Sequence, residues 1–168
     1  MRNIILIYIF IFFAGVVWAE PYNVYKPDQF KSTKINDPEE RVLFILDFSN
    51  SMEEEINGER KVDLMLRTMG QILPTINKKT WVGLRVYGHK MGFTQIDACK
   101  ASSLLVPITP ASASQIQSKL AKTSPKGMTP ITYSLKKAVD NDFIGFNGQK
   151  HIILLTDGGE NCDESPCT

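Results

Sequence analysis

Five consecutive apolar residues, Val42-Leu43-Phe44-Ile45-Leu46, run directly into Asp47-Phe48-Ser49-Asn50-Ser51. A strand with one wet face alternates apolar and polar residues. A run without alternation needs cover on both faces, which places it inside a parallel sheet with helices on either side. A second run, His151-Ile152-Ile153-Leu154-Leu155, also ends in a polar stretch, Thr156-Asp157-Gly158-Gly159. Between the two lie amphipathic patterns. Val62, Met65, Leu66, Met69, Ile72 and Leu73 recur at threes and fours and predict a helix ending near Pro74. Val82, Leu84 and Val86 alternate with Trp81, Arg85 and Tyr87, which predicts a strand. Leu104 to Val106 reads as a short strand stopped by Pro107. A helix is expected to open at Thr109-Pro110, with Ser112 and Gln115 offering a capping box and Ile116 and Leu120 buried. Another is expected from Thr129-Pro130, with Ile131, Leu135, Ala138 and Val139 facing inward. Strands alternating with helices give an α/β fold with a doubly wound, mostly parallel sheet.

The first residues read differently. Arg2 precedes an uncharged stretch rich in Ile and Phe from Ile4 to Val17, and Val17-Trp18-Ala19 places small residues at the positions a signal peptidase reads. Residues 1–19 are therefore expected to be a secretory signal, and the chain periplasmic or extracellular. The run is short beside the roughly 20 residues of a spanning helix, so an uncleaved anchor is the lesser alternative and the only membrane link expected. Residues 20–40, with Pro21, Pro27 and Pro38, read as a linker or lead-in. The folded domain is assigned to 41–168.

In doubly wound sheets, sites form beyond the C-terminal ends of the strands. Three segments open there: Asp47 to Ser51, Gly127-Met128-Thr129-Pro130, and Thr156 to Gly159. Asp47, Ser49 and Ser51 alternate, so a chain that is still extended can turn them to one side. Together with Thr129 and Asp157 they supply carboxylates and hydroxyls, with no thiolate or imidazole among them. Hard oxygen donors of this kind suit Mg²⁺, with Mn²⁺ or Ca²⁺ as alternatives. Neutral hydroxyl ligands leave much of a cation's charge uncancelled, and such an ion attracts a carboxylate from outside. Taken singly, Asp47, Ser49 and Ser51 are ordinary turn residues and Thr129 an ordinary helix cap. Their occurrence together, each at the right strand or helix end, favours a shared site.

These residues resemble a von Willebrand factor A domain. Its metal-ion-dependent adhesion motif is D-x-S-x-S followed by a distant Thr and a distant Asp. Asp47, Ser49 and Ser51 match the first part, Thr129 in Gly-Met-Thr-Pro the second, and Asp157 in Leu-Leu-Thr-Asp-Gly the third. The resemblance spans roughly residues 40 to 168. It implies direct coordination by Ser49 and Ser51. It also implies a Thr129 that binds directly in one state and through water in another, with Asp47 and Asp157 acting mainly through water. The implied partner is a protein presenting an Asp or Glu. Lys61 falls where many members carry a basic residue, and Asn50 where Gly is common. Gly-Met-Thr-Pro-Ile and Thr-Asp-Gly-Gly-Glu-Asn-Cys resemble a bacterial exported branch. The family has six strands in the order 3-2-1-4-5-6, whereas this sequence supplies four. The resemblance thus implies an incomplete sheet without strands five and six, and a truncated, non-functional fragment is one reading.

Composition narrows the other classes. With 19 basic and 18 acidic side chains and a net charge of +1, no global field favours nucleic acid. Two histidines, His89 and His151, rule out a His-rich zinc site. His89 reads as a loop residue. A Mg²⁺-dependent hydrolase is the enzyme alternative, because an aspartate after a buried strand resembles a haloacid-dehalogenase nucleophile. That family wants a second Asp where Ser49 stands. G-x-x-x-x-G-K-[ST] and G-x-S-x-G are both missing. Of Cys99, Cys162 and Cys167, the last two are near neighbours in a polar loop and are the favoured disulfide in an exported chain. Cys99 is then free, or is the alternative partner of one of them.

Overall fold

The computed structural model describes residues 39–162. The expected signal, nearly all of the lead-in, and Cys167 lie outside the described residues. In chain order the elements are β1 (Glu40–Asp47), the short hairpin β2 (Glu55–Ile56) and β3 (Glu59–Arg60), then α1 (Lys61–Ile72) and β4 (Trp81–Tyr87). They continue with α2 (Gln95–Ala98), β5 (Ser102–Pro110), α3 (Ala113–Leu120), α4 (Ile131–Lys137) and β6 (Gln149–Leu155). The main sheet has the order β5-β4-β1-β6. β1 is parallel to β4 and to β6, and β5 is antiparallel to β4. This is an α/β, doubly wound, mostly parallel sheet.

The unbroken apolar run of β1 has a direct cause. Phe44 and Leu46 face one core, packed with Met65 and Met69 of α1 and Ile116 and Leu120 of α3. Leu43 and Ile45 face the other, with Ile131 of α4, Ala138, Phe143 and Phe146. Both faces of β1 are buried from Leu43 to Leu46, so an unpaired polar side chain at any of these positions would be costly. β6 stands at the end of the described sheet and is wetter, with Ile153 exposed.

Several local expectations are corrected. The strand expected at Leu104 to Val106 extends over Ser102–Pro110 and runs antiparallel. The chain returns after β4 through residues 88–101, which carry α2, and re-enters the sheet beside β4 in the opposite direction. Pro107 is accommodated because β5 is an edge strand of the described sheet, with β4 on one side only among the described residues. The next helix therefore opens at Ala113. Ser112 precedes it without capping it: its hydroxyl donates to the Val82 carbonyl at 2.6 Å. Val139 is 62% exposed, contrary to the inward face expected of it. After α4 the backbone widens into a π turn over Ala138–Asp142, which changes the helical phase. Val139 swings outward, while Asp142 is buried as the bidentate partner of Arg85 on β4, with both bonds at 2.7 Å.

Candidate metal site

The C-terminal ends of β1 and β6 lie side by side, since Leu46 is in register with Leu155. Asp47 and Asp157 thereby leave the sheet at one rim. Asp47 is fully buried. Its Oδ1 accepts from the Ser49 backbone N–H at 2.7 Å, and its Oδ2 accepts from the Thr156 hydroxyl at 2.7 Å. This aspartate ties the first loop to the last one.

From there a chain of oxygens leads outward. The Ser49 and Ser51 hydroxyls are 3.1 Å apart, and the Ser51 hydroxyl donates to Asp157 Oδ1 at 2.9 Å. The other oxygen of Asp157 accepts from Lys61 Nζ at 2.7 Å, and the same ammonium reaches Glu54 Oε2 at 2.6 Å. Burial opposes ionisation of Asp157. The hydrogen bonds from Lys61 and Ser51 and the charge on Lys61 outweigh it and hold the carboxyl below its ordinary range. Hydrogen bonds to Asp157 and then Glu54 push the Lys61 ammonium up in turn.

Thr129 is placed by the main chain. Ser49 forms a parallel bridge with Gly127, and the Asn50 N–H donates to the Gly127 carbonyl at 2.9 Å. Lys126 N–H donates to the Phe48 and Gly88 carbonyls. Thr129 follows two residues later, buried, and its N–H donates to Asn161 Oδ1 at 2.7 Å. Glu160 takes the N–H of Thr132 in the first turn of α4 at 2.8 Å. The three segments are thus cross-linked pairwise: the first to the second through Ser49 and Gly127, the second to the third through Thr129 and Asn161, the first to the third through Ser51 and Asp157.

Two glycines permit this approach. Gly88 has φ +68°, and a Cβ on it would lie 2.5 Å from the Ser49 nitrogen. A Cβ on Gly127 would lie 2.5 Å from the Lys90 carbonyl oxygen. Sequence reasoning passed over Gly88, Thr156, Glu160 and Asn161, which act on the site through backbone proximity or through side chains that hold loops. The run Thr-Asp-Gly-Gly-Glu-Asn-Cys was the only available signal for the last three. Asn50, at the position where Gly is common, needs no left-handed backbone, because the non-glycine residues at positive φ among those described are Asn57 and Ala111.

The disulfide differs from the favoured pairing. Cys99, just after α2, is bonded to Cys162, 63 residues away. This is the alternative in which Cys99 takes one of the loop cysteines. The folded chain brings the segment after β6 against α2, so proximity in space overrides proximity in sequence.

The donor set fits a hard divalent cation. Hydroxyl and carboxylate oxygens converge at Ser49, Ser51 and Asp157, one carboxylate is already stabilised as the anion, and no group of three or more His, Cys, Asp or Glu is arranged to hold a metal ion among the described residues.

No protein-family model matches the chain. It is 29% identical over 159 residues to the uncharacterized protein YwmD of Bacillus subtilis (strain 168), covering 91% of this chain and 69% of that protein. The uncharacterized protein YwmC of the same organism is 26% identical over 129 residues, covering 74% of this chain and 57% of that protein. Among solved structures, proximal thread matrix protein 1 from the mussel byssus, with a zinc-occupied MIDAS motif, superposes with a TM-score of 0.57 at 25% identity. That match covers 76% of this chain and 31% of the mussel protein. The vWF domain of the type V pili tip protein Mfa5 from Porphyromonas gingivalis superposes with a TM-score of 0.53 at 21% identity, covering 72% of this chain and 38% of that one. The chain therefore spans well under half of either solved protein. Sheet order, the two helical layers and these superpositions agree: the fold is of the von Willebrand factor A type.

Proposed function

We propose that this chain is an exported protein-binding domain that works through a divalent cation, Mg²⁺ by the hardness of its donors. Ser49, Ser51 and Thr129 would hold the ion, with Asp47 and Asp157 behind them, and an Asp or Glu of a partner protein would complete its coordination. The observation that carries the proposal is the continuous oxygen chain from Ser49 through Ser51 to Asp157, assembled from opposite ends of the domain. The zinc-occupied MIDAS motif of the mussel protein supports a divalent ion at this place in the fold and makes Zn²⁺ a competitor to be tested. The Cys99–Cys162 bridge supports an oxidising compartment and therefore export.

Binding fits the geometry better than hydrolysis. A nucleophilic aspartate needs a free oxygen facing substrate. Asp47 is fully buried, and both its oxygens accept hydrogen bonds from within the domain. The ion's role is then to bridge, while the protein's residues fix its position and leave one side for the partner.

The test uses Mn²⁺ as a relaxation probe. Titrating the Mn²⁺-loaded chain with acetyl-Gly-Asp-Gly-amide should lower the water-proton relaxation enhancement as the carboxylate displaces water, and the Asn analogue should leave it unchanged. Identical curves for the two peptides would overturn the carboxylate-bridging reading.

A further inference from the structure

The stretch from the end of β4 through α2 exposes large apolar side chains: Met91 is 80%, Phe93 104% and Ile96 67% exposed. The segment is firmly built. At Gly92 the backbone lies so close to α2 that a Cβ would stand 2.2 Å from the Ala98 nitrogen. The Thr94 hydroxyl accepts from the Asp97 N–H at 3.1 Å and donates to Asp97 Oδ2 at 2.8 Å. Cys99 is bonded to Cys162, in the loop that carries Asp157. On its other side, Lys90 meets Gly127 in the loop that carries Thr129. The apolar residues are thus mounted between two of the three site segments, and little order remains to be lost when something binds them.

Ile96 also lines a groove of about 370 Å³ shared with Pro130 and Tyr133 at the start of α4 and with the bonded Cys99 and Cys162. Lys100 and Glu160 line the groove, the two oxygens of Glu160 being turned to the Thr132 and Cys162 N–H groups. Around it, Lys90 and Lys126 are exposed on the adjoining segments beside Asp97, so cationic side chains outnumber the carboxylates by three to two. An apolar surface mounted between two segments of the candidate site, its groove reaching Pro130 directly after Thr129, and bordered by lysines fits one kind of occupant: an acidic segment with a large apolar side chain next to its carboxylate.

We infer that Phe93, Ile96 and the groove beside them select the partner, accepting an aromatic or leucine side chain adjacent to the Asp or Glu that the cation takes. This rests on the metal-bridging reading above, which supplies the carboxylate half. A few large anchors seated in water-excluded pockets carry most of the energy of an interface.

Selection from a random heptapeptide phage library on the immobilised chain in Mg²⁺ tests the inference. Enriched peptides should carry Asp or Glu with Phe, Tyr, Trp or Leu within two positions. Synthetic versions should bind at least tenfold more weakly to the Phe93→Ser, Ile96→Ser double variant, whose melting curve should match the wild type because both side chains are exposed. They should also be released by EDTA. Acidic peptides without an apolar preference, or equal binding to the double variant, would overturn the inference and leave the metal reading standing. Peptides that bind undiminished in EDTA would overturn the metal reading itself, and failure to enrich any sequence would count against both.

Discussion

The Ser51 hydroxyl donates to Asp157 across 2.9 Å, although the two residues are 106 positions apart. That bond makes the loop after β1 and the loop after β6 into one site. It exists because β1 and β6 are parallel neighbours whose C-terminal ends share a rim. The consequence is a set of side chains whose properties depend on one another.

Lys61 is the first case. Its ammonium sits between Glu54 and Asp157, at 2.6 and 2.7 Å, where it neutralises the carboxylate that a cation would use. Lys61→Met should therefore tighten Mg²⁺ binding, by roughly two- to fivefold given the modest worth of a partly exposed pair. Calorimetric titration of both proteins checks this. Weaker binding in the variant would mean that Lys61 positions Asp157 for the ion instead of competing with it.

The disulfide ties the Asp157 loop to α2. Closing a loop between Cys99 and Cys162, 63 positions apart, is worth roughly 4 kcal/mol in the chain-entropy account. Cys99→Ala and Cys162→Ala should each lower the denaturant midpoint substantially and weaken metal binding. Peptide mapping without reduction should recover the Cys99–Cys162 pair. A Cys162–Cys167 peptide would contradict the observed pairing.

His89 predicts a pH effect. Burial, followed by the nearby charges of Lys90 and Lys126, lowers its pKa from the ordinary 6.5 to about 4, and both ring nitrogens lack a hydrogen-bond partner. The unfolded chain takes up this proton at a higher pH than the folded chain does. The contribution is therefore fully present above pH 6.5 and is lost as pH falls from 6.5 toward 4, amounting to at most on the order of 3 kcal/mol. Denaturant titrations of wild type and His89→Gln across this range should show a shallower decline in the variant. Parallel declines would refute the assignment.

β6 predicts self-association. It pairs with β1 on one side, stands at the end of the described sheet, and leaves Ile153 exposed. Apolar edge strands are templates for pairing with another chain. Sedimentation of the purified chain should show concentration-dependent oligomers, and Ile153→Lys should reduce them. A wild-type chain that stays monomeric at all concentrations would contradict this.

The parts of this fold legible in the sequence are those with local causes. The run from Val42 to Leu46 marks a strand covered on both faces, and β1 is such a strand. Asp47, Ser49 and Ser51 sit in one turn, and the Leu-Leu-Thr-Asp-Gly pattern identifies a strand end, so their convergence could be anticipated. The antiparallel course of β5 could not, because nothing in Leu104 to Val106 encodes strand direction. The π turn after α4 was hidden because Val139 continues a helical stripe that the backbone abandons. The Cys99–Cys162 pair was displaced by a nearer neighbour in sequence. Gly88 and Asn161 were missed for a common reason: each matters through a backbone it lies against or holds, and the sequence does not show which backbone that is.

The central claim is that Ser49, Ser51, Thr129 and Asp157 act together on one divalent cation. Its most direct test is calorimetric titration of Mn²⁺, then Mg²⁺ and Zn²⁺, into the wild-type chain and into Ser49→Ala and Asp157→Ala, with circular dichroism confirming that each variant is folded. The account predicts one site per chain in the wild type, displaced by EDTA, and no measurable binding at that site in either folded variant. Equal binding by the wild type and both variants would contradict it.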